Sequence, residues 1–369
     1  MKRINQFEPW FGEEEIEELI KTVKSSWIIE HSRTRALEKI FADYVGAKYA
    51  VATTSGTMAL ALALMALRVG HGDEVIVPDF TFVATANAVK LTGATPVLVD
   101  IKREDLTIDP SKIEKNMSDK TKAIIPVHFN GRPADMDRIN QISKKHGLYV
   151  VEDCCQALGS RWKGRHLGTF SDIGCFSLTT TKIVTTGQGG MMVTDSSELY
   201  ERMARLKDHG RAERVDLKPV EDYHPEIGFN FKLTDLQAAV GLAQFSKLDW
   251  RVNRIKEIYA LYRKELREIE SLTFLDMDLA ENTPWYVDTM LNEANKHKEL
   301  KDFLKERNIG TRLFYIPLHM QPCYKTDGDF ANSIYVSERG LFLPSSTFLS
   351  DDDILRVCNE IKRFFGKGT

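Results

Sequence analysis

The first two-thirds of the chain alternate short β-branched and aliphatic runs with stretches of helical length. Seven runs read as strands: "YAVAT" centred on 50–53, "EVIV" at 74–77, "TPVLV" at 95–99, "KAIIPV" at 122–127, "LYVVE" at 148–152, "IGCFSL" at 173–178 and "GMMVT" at 190–194. Between the first five lie helical stretches such as "TMALALALMALRV" and "ADMDRINQISKKHG". That alternation predicts an α/β domain with a mostly parallel seven-stranded sheet and helices on both faces. The last two runs are joined without a helix, so part of the sheet is expected to run antiparallel.

"KLTDLQAAVGLAQFSKLD" then opens a helix, with Thr234 and Gln237 at capping-box spacing. The long charged stretch "RVNRIKEIYALYRKELREIE" reads as a helix leading into a smaller α+β domain. That domain is expected to hold strands near "WYVDTML" and "TRLFY" and a final helix near "DDDILRVCNEIKRFF". The expected division is 1–245 and 246–369.

At 369 residues the chain is long enough for two domains, which agrees with this division. The 50 basic and 53 acidic side chains give a net charge of -3, with no basic footprint for nucleic acid or an acidic membrane. The opening "MKRINQFEPWFGEEEIEEL" has no apolar core of the kind a secretory signal needs, and "MALALALMAL" is too short to span a bilayer. The five cysteines are odd in number and lack CxxC spacing, which fits free thiols in a cytoplasmic protein. No zinc-type spacing of His and Cys occurs, so no metal is expected.

Against this ordinary background one residue stands out. Lys182 is the only charged residue between Asp172 and Asp195, in "CFSLTTTKIVTTGQGGMMVTD". A solvated surface lysine is the common case. Among apolar strands, however, an ammonium loses hydration, its pKa falls, and a neutral amine becomes available to an aldehyde cofactor. Asp153 ends the run "GLYVVEDCCQALGS", at the carboxyl end of a strand where ligands bind in α/β folds. It suits a turn or cap, and equally a partner for the ring nitrogen of pyridoxal phosphate, with Gln156 in reach of the ring hydroxyl. In "VATTSGTMALALAL", Ser55, Gly56 and Thr57 open a helix with exposed backbone N–H groups, a phosphate cup or an ordinary cap. Phe80 and Phe82 follow the next strand, and either could stack on a flat ring. Competing signatures fail: no GxGxxG follows a strand, "GSRWKGR" lacks the P-loop ending, and no GxSxG elbow occurs.

On the segments "SGTMAL", "GDEVIVPDFTFVATANAV", "GATPVLVDI", "PVHFNGRPADMD", "VVEDCCQALGS", "GTFSDIGCFSLTTTK", "TTGQGGMMVTD", "GFNFKLTDLQAAVGLAQ" and "YIPLHMQPCY", the chain resembles the DegT/DnrJ/EryC1/StrS family of pyridoxal-phosphate sugar aminotransferases. The resemblance covers nearly the whole chain. It implies the aspartate aminotransferase fold, fold type I. It implies that Lys182 bonds the pyridoxal 5'-phosphate aldehyde and moves the proton, with pyridoxamine phosphate as the alternate cofactor form. It assigns the ring nitrogen to Asp153, the ring hydroxyl to Gln156, phosphate contacts to Gly56, Thr57 and Ser177, and stacking to Phe82. Asn230 matches a residue that reaches the phosphate from a neighbouring subunit, implying a homodimer. Thr181 lies in the expected sugar-pocket wall, and Arg312 and His319 fall in a motif expected to contact the nucleotide sugar.

The implied reaction is amino transfer, with glutamate as donor, to a nucleotide-linked keto sugar. A 4-keto-6-deoxy hexose is favoured, in a perosamine-type step of amino-sugar or O-antigen lipopolysaccharide synthesis. Three stretches depart from the family: Leu178–Thr181 replace an aromatic and a His- or Tyr-like residue, Gln188 replaces the acid of GEGG, and Cys154–Cys155 replace paired alanines. The rivals are a pyridoxamine-dependent sugar dehydratase, which carries histidine at the lysine position, a non-enzymatic cofactor-binding regulator, and a nicotinamide oxidoreductase. Lys182, the lack of a DNA-binding domain and the missing dinucleotide fingerprint weigh against them in turn.

Overall fold

A computed structural model describes residues 2–212 and 222–367. All seven expected strands form: β1 (Tyr49–Thr53), β2 (Glu74–Pro78), β3 (Thr95–Val99), β4 (Thr121–Ile124), β5 (Tyr149–Asp153), β8 (Ile173–Ser177) and β9 (Gly190–Thr194). A two-residue ribbon, β6 (Arg161–Trp162) and β7 (Arg165–His166), interrupts them. The sheet order is β1-β9-β8-β5-β4-β2-β3. Every pairing is parallel except those of β9, which runs antiparallel to both β1 and β8. The missing helix between the last two runs produces that one reversal. β4 stops short of the predicted 122–127, because Pro126 has no N–H for the ladder.

Helices on both faces bury the strands. The helix Gly56–Ala66 is apolar almost throughout and packs inside, with Ser55 Oγ accepting the Met58 N–H at 3.2 Å as its cap. The helix Met136–His146 runs from the Asp135 cap to Gly147, which takes the left-handed conformation that ends it. The Thr234–Gln237 capping box forms at the start of Asp235–Phe245. Among the described residues, no helix is long and apolar enough to cross a membrane.

A second sheet has the order β10-β11-β13-β12, from β10 (Leu272–Thr273), β11 (Val287–Leu291), β12 (Arg312–Leu313) and β13 (Gly340–Leu343). All its pairings are antiparallel. The helices Leu248–Leu266 and Lys296–Glu306 pack on it, and Asp351–Phe364 packs against both helices. Ile4, from the chain start, joins that hydrophobic cluster and pairs with Ile309.

The two sheets are fastened through the turn after β4, "FNGR". Arg132 is 2% exposed, and its guanidinium donates to both carboxylate oxygens of Asp288 on β11, at 2.6 and 2.9 Å. It also donates to the Asp276 carbonyl at 3.0 Å and the Tyr259 hydroxyl at 3.2 Å. Burial works against this charge, and the Asp288 carboxylate outweighs it. Asn130 clamps the backbone of Tyr286 in both directions, at 2.9 and 2.8 Å. Gly131 has φ +85°, and a Cβ there would stand 2.0 Å from the Thr283 carbonyl. The aromatic cluster of Phe80, Phe129, Tyr286, Phe314 and Phe342 fills the seam. Breaking a buried pair leaves a bare charge behind, so Arg132→Met should lower stability by about 3–5 kcal/mol, read as a shift in urea midpoint. A change within experimental error would show that this pair does not fasten the sheets.

Candidate active site

A cavity of about 350 Å³ opens at the carboxyl ends of the parallel strands. Four strands deliver residues from their last position or from the turn that follows. Ser55–Thr57 come from β1, Thr81 and Phe82 from β2, Asp153–Gln156 from β5, and Ser177 from β8. The loop between β8 and β9 adds Thr179, Thr181, Lys182 and Gln188. Trp285, Arg312 and Tyr315 close it from the second-sheet side.

Lys182 is 9% exposed. Its Nζ lies 3.3 Å from the centroid of the Trp285 ring. Desolvation lowers its pKa to about 8; Cys155 and Asp153 pull the other way, and Arg312 adds to the lowering. A neutral amine is therefore accessible near neutral pH. Asp153 is fixed by two donors: Thr85 Oγ1 to Oδ2 at 2.8 Å, and the Cys155 N–H to Oδ1 at 3.0 Å. Gln156 Oε1 accepts the Asn130 N–H at 2.9 Å, which leaves its NH₂ as the free end.

At the anion cup, the first N–H groups of a helix have no partner within that helix, and the first residues here are Gly56 and Thr57. A Cβ on Gly56 would meet Cys155 Sγ and Ser177 Cβ, each at 2.8 Å, so glycine keeps the cup open. Gly190 backs the same turn; a Cβ there would lie 2.2 Å from the Ser55 carbonyl. A buried amine, a held carboxylate and an N–H cup in one cavity suit a phosphorylated aldehyde with a basic ring nitrogen.

Ten of the sequence candidates share this cavity: Ser55, Gly56, Thr57, Phe82, Asp153, Gln156, Ser177, Thr181, Lys182 and Arg312. Phe82 is 49% exposed on the cavity wall, whereas Phe80 is fully buried in the aromatic seam. Two candidates lie outside the wall. Asn230 is exposed and bridges to Asp208. His319 Nδ1 bonds Asp79 Oδ2 at 2.7 Å, its backbone N–H bonds Oδ1 at 2.8 Å, and its ring stacks on Phe330. Of the expected threonine wall, Thr180 turns its Oγ1 to the Gly187 carbonyl. Trp285, Tyr315 and Thr85 were not foreseen. Trp285 sat inside a run read only as a strand, and no local spacing ties it to Lys182.

The model of the DegT/DnrJ/EryC1/StrS aminotransferase family matches residues 9–362. The GDP-perosamine synthase of Escherichia coli O157:H7 is 36% identical over 370 residues, covering 99% of both chains. The spore coat polysaccharide biosynthesis protein SpsC of Bacillus subtilis is 38% identical over 369 residues, covering 96% of this chain and 95% of that protein. The crystal structure of DesV from S. venezuelae, in complex with a ketimine intermediate, superposes with a TM-score of 0.89 at 31% identity, covering 95% of this chain and 94% of that one.

The folded pKa of Lys182, about 8, lies below the ordinary 10.5, so between those values the unfolded chain binds more protons. Lys182 therefore destabilises the cofactor-free fold below pH 8, and the penalty is lifted as pH rises towards 10.5. Lys182→Met should unfold at higher urea than the parent at pH 7, by on the order of 3 kcal/mol, with the difference shrinking as pH rises. A difference independent of pH would place the ammonium in water.

Proposed function

The chain belongs to the DegT/DnrJ/EryC1/StrS aminotransferase family, and on that premise we propose that it moves an amino group from glutamate to the ketone of a nucleotide-linked sugar, a 4-keto-6-deoxy hexose first among them. The observation that carries this reading is the buried amine of Lys182, without an ion pair among the described residues, facing the same cavity as Asp153 and the Ser55–Thr57 turn. Pyridoxal phosphate, when bound, supplies an aldehyde that accepts the amino group and a ring that withdraws electrons. Lys182 would bond that aldehyde, Asp153 would pair with the ring nitrogen, Gln156 would donate its NH₂ to the ring hydroxyl, and Phe82 would lie against the ring. Ser55, Gly56, Thr57 and Ser177 would hold the phosphate. The neutral Lys182 amine would take up a proton at one substrate carbon and return it at another. Thr181 and Arg312 would meet the sugar nucleotide, and the relatives named GDP-perosamine synthases favour a perosamine-type step. We place the enzyme in the cytoplasm, where nucleotide sugars are made.

A homodimer completes the reading. Ile16, Ile20 and Val23 face outward at helical spacing on Glu13–Lys24, and Trp27, Ile28 and Ile29 continue this apolar strip. The Ile29 carbonyl accepts the Asp235 N–H at 3.1 Å, so the strip runs beside the segment that carries Asn230. Across such a contact, Asn230 of the partner subunit would reach the phosphate.

Purified protein should be yellow, and borohydride should fix the cofactor to Lys182. In a glutamate-coupled assay across nucleotide keto-sugars, 2-oxoglutarate should appear with at least one. Activity retained by Lys182→Ala, or no release with any sugar, would sink the reading. Ile29→Glu should elute near the 42.0 kDa monomer mass instead of twice that, and bind the cofactor at least about tenfold more weakly. A parent protein that already elutes as a monomer at working concentration would remove the dimer.

A further inference from the structure

Among the described residues, Lys182 Nζ makes no hydrogen bond and no ion pair, and its closest specific contact is the face of Trp285, 3.3 Å from the ring centroid. The indole is held by two contacts of its own. Its Nε1–H donates to the Thr181 carbonyl at 2.8 Å. Its ring stacks on Tyr286 at 4.1 Å between centroids. Tyr286 is in turn clamped by Asn130. Trp285 and Lys182 also line a small cavity behind the site, together with Glu8 and Arg251. On the cofactor side the charged and titratable groups facing the amine are Asp153, Cys155 and Arg312.

We infer that the indole face of Trp285 is the resting place of the Lys182 ammonium, which makes Trp285 a positioning residue for the proton-moving amine. A carboxylate in that place would attract the ammonium strongly and oppose proton release. An aromatic face attracts the cation more weakly, and the neutral amine hardly at all. Position is thereby coupled to protonation: the protonated group rests on the indole, and the neutral group is free to reach into the cavity. The inference rests on the aminotransferase reading only for the reason the amine must be held.

The test compares Trp285→Phe, which keeps a π face, with Trp285→Met, which fills space without one. In cofactor-free protein, the pH dependence of Lys182 modification by trinitrobenzenesulfonate, located by peptide mapping, reads the amine directly. The Met variant should titrate about half a unit to one unit lower than the parent, and the Phe variant close to it. In the loaded enzyme, kcat should fall about tenfold for Met with the glutamate KM within about twofold, and Phe should restore most of it. Equal titration midpoints in all three proteins, or a Phe variant as impaired as Met, would overturn the inference. Trp285→Leu takes the place of Met if that variant does not fold. A parent that transaminates nothing defeats the proposed function, while the titration midpoints still decide the role of Trp285.

Discussion

The site depends on a buried charge pair that is not part of it. Arg132 and Asp288 sit at 2% and 0% exposure and join a turn of the parallel sheet to the first long strand of the second sheet. Asn130, two residues earlier, ties the same turn to the Tyr286 backbone and also fixes Gln156. The pair therefore sets more than the angle between sheets. It places Trp285, one residue before Tyr286, above the lysine that ends the other wall. Such pairs are costly to bury and still costlier to break, which favours one docking geometry over neighbouring ones.

The parallel sheet was legible because its strands are buried on both faces and read as unbroken apolar runs. The turns after those strands were legible too, since glycine, serine and aspartate mark them, and most of the site follows from these turns. The second sheet was read only in part. β11 and β12 form inside the expected "WYVDTML" and "TRLFY", but β10 has two residues and β13 is a four-residue run that opens on a glycine, too little for a pattern, although "GLFL" is fully buried. The helices Lys296–Glu306 and Ala331–Ser337 were not foreseen either. The link between Lys182 and Trp285 spans over a hundred residues, and only the folded chain reveals it. The resemblance named Phe82 over Phe80, and the reason is visible in burial: Phe80 belongs to the seam between sheets.

The electrostatics of the site are spare. Lys182 has a carboxylate in its vicinity without an ion pair to it, because Asp153 is occupied by Thr85 and the Cys155 N–H. Burial then dominates and brings the amine towards neutrality. Arg312, half in solvent over Tyr315, adds repulsion from the open side. Charge is thus arranged around the amine at a distance instead of being neutralised in contact.

The reversed strand β9 carries a further implication. It takes the chain from the lysine loop back beside β1, and its first residue, Gly190, lies against the Ser55 carbonyl. The segment Leu178–Gly189 is therefore a hairpin connection with both ends pinned to the sheet. Leu178, Val184, Thr185 and Thr186 are buried within it, so change that spares the register of the five parallel neighbours falls on part-exposed positions such as Thr179–Thr181. New residues just before the lysine would reshape that side of the cavity, where Thr179 and Thr181 stand, and leave the strand frame around it intact.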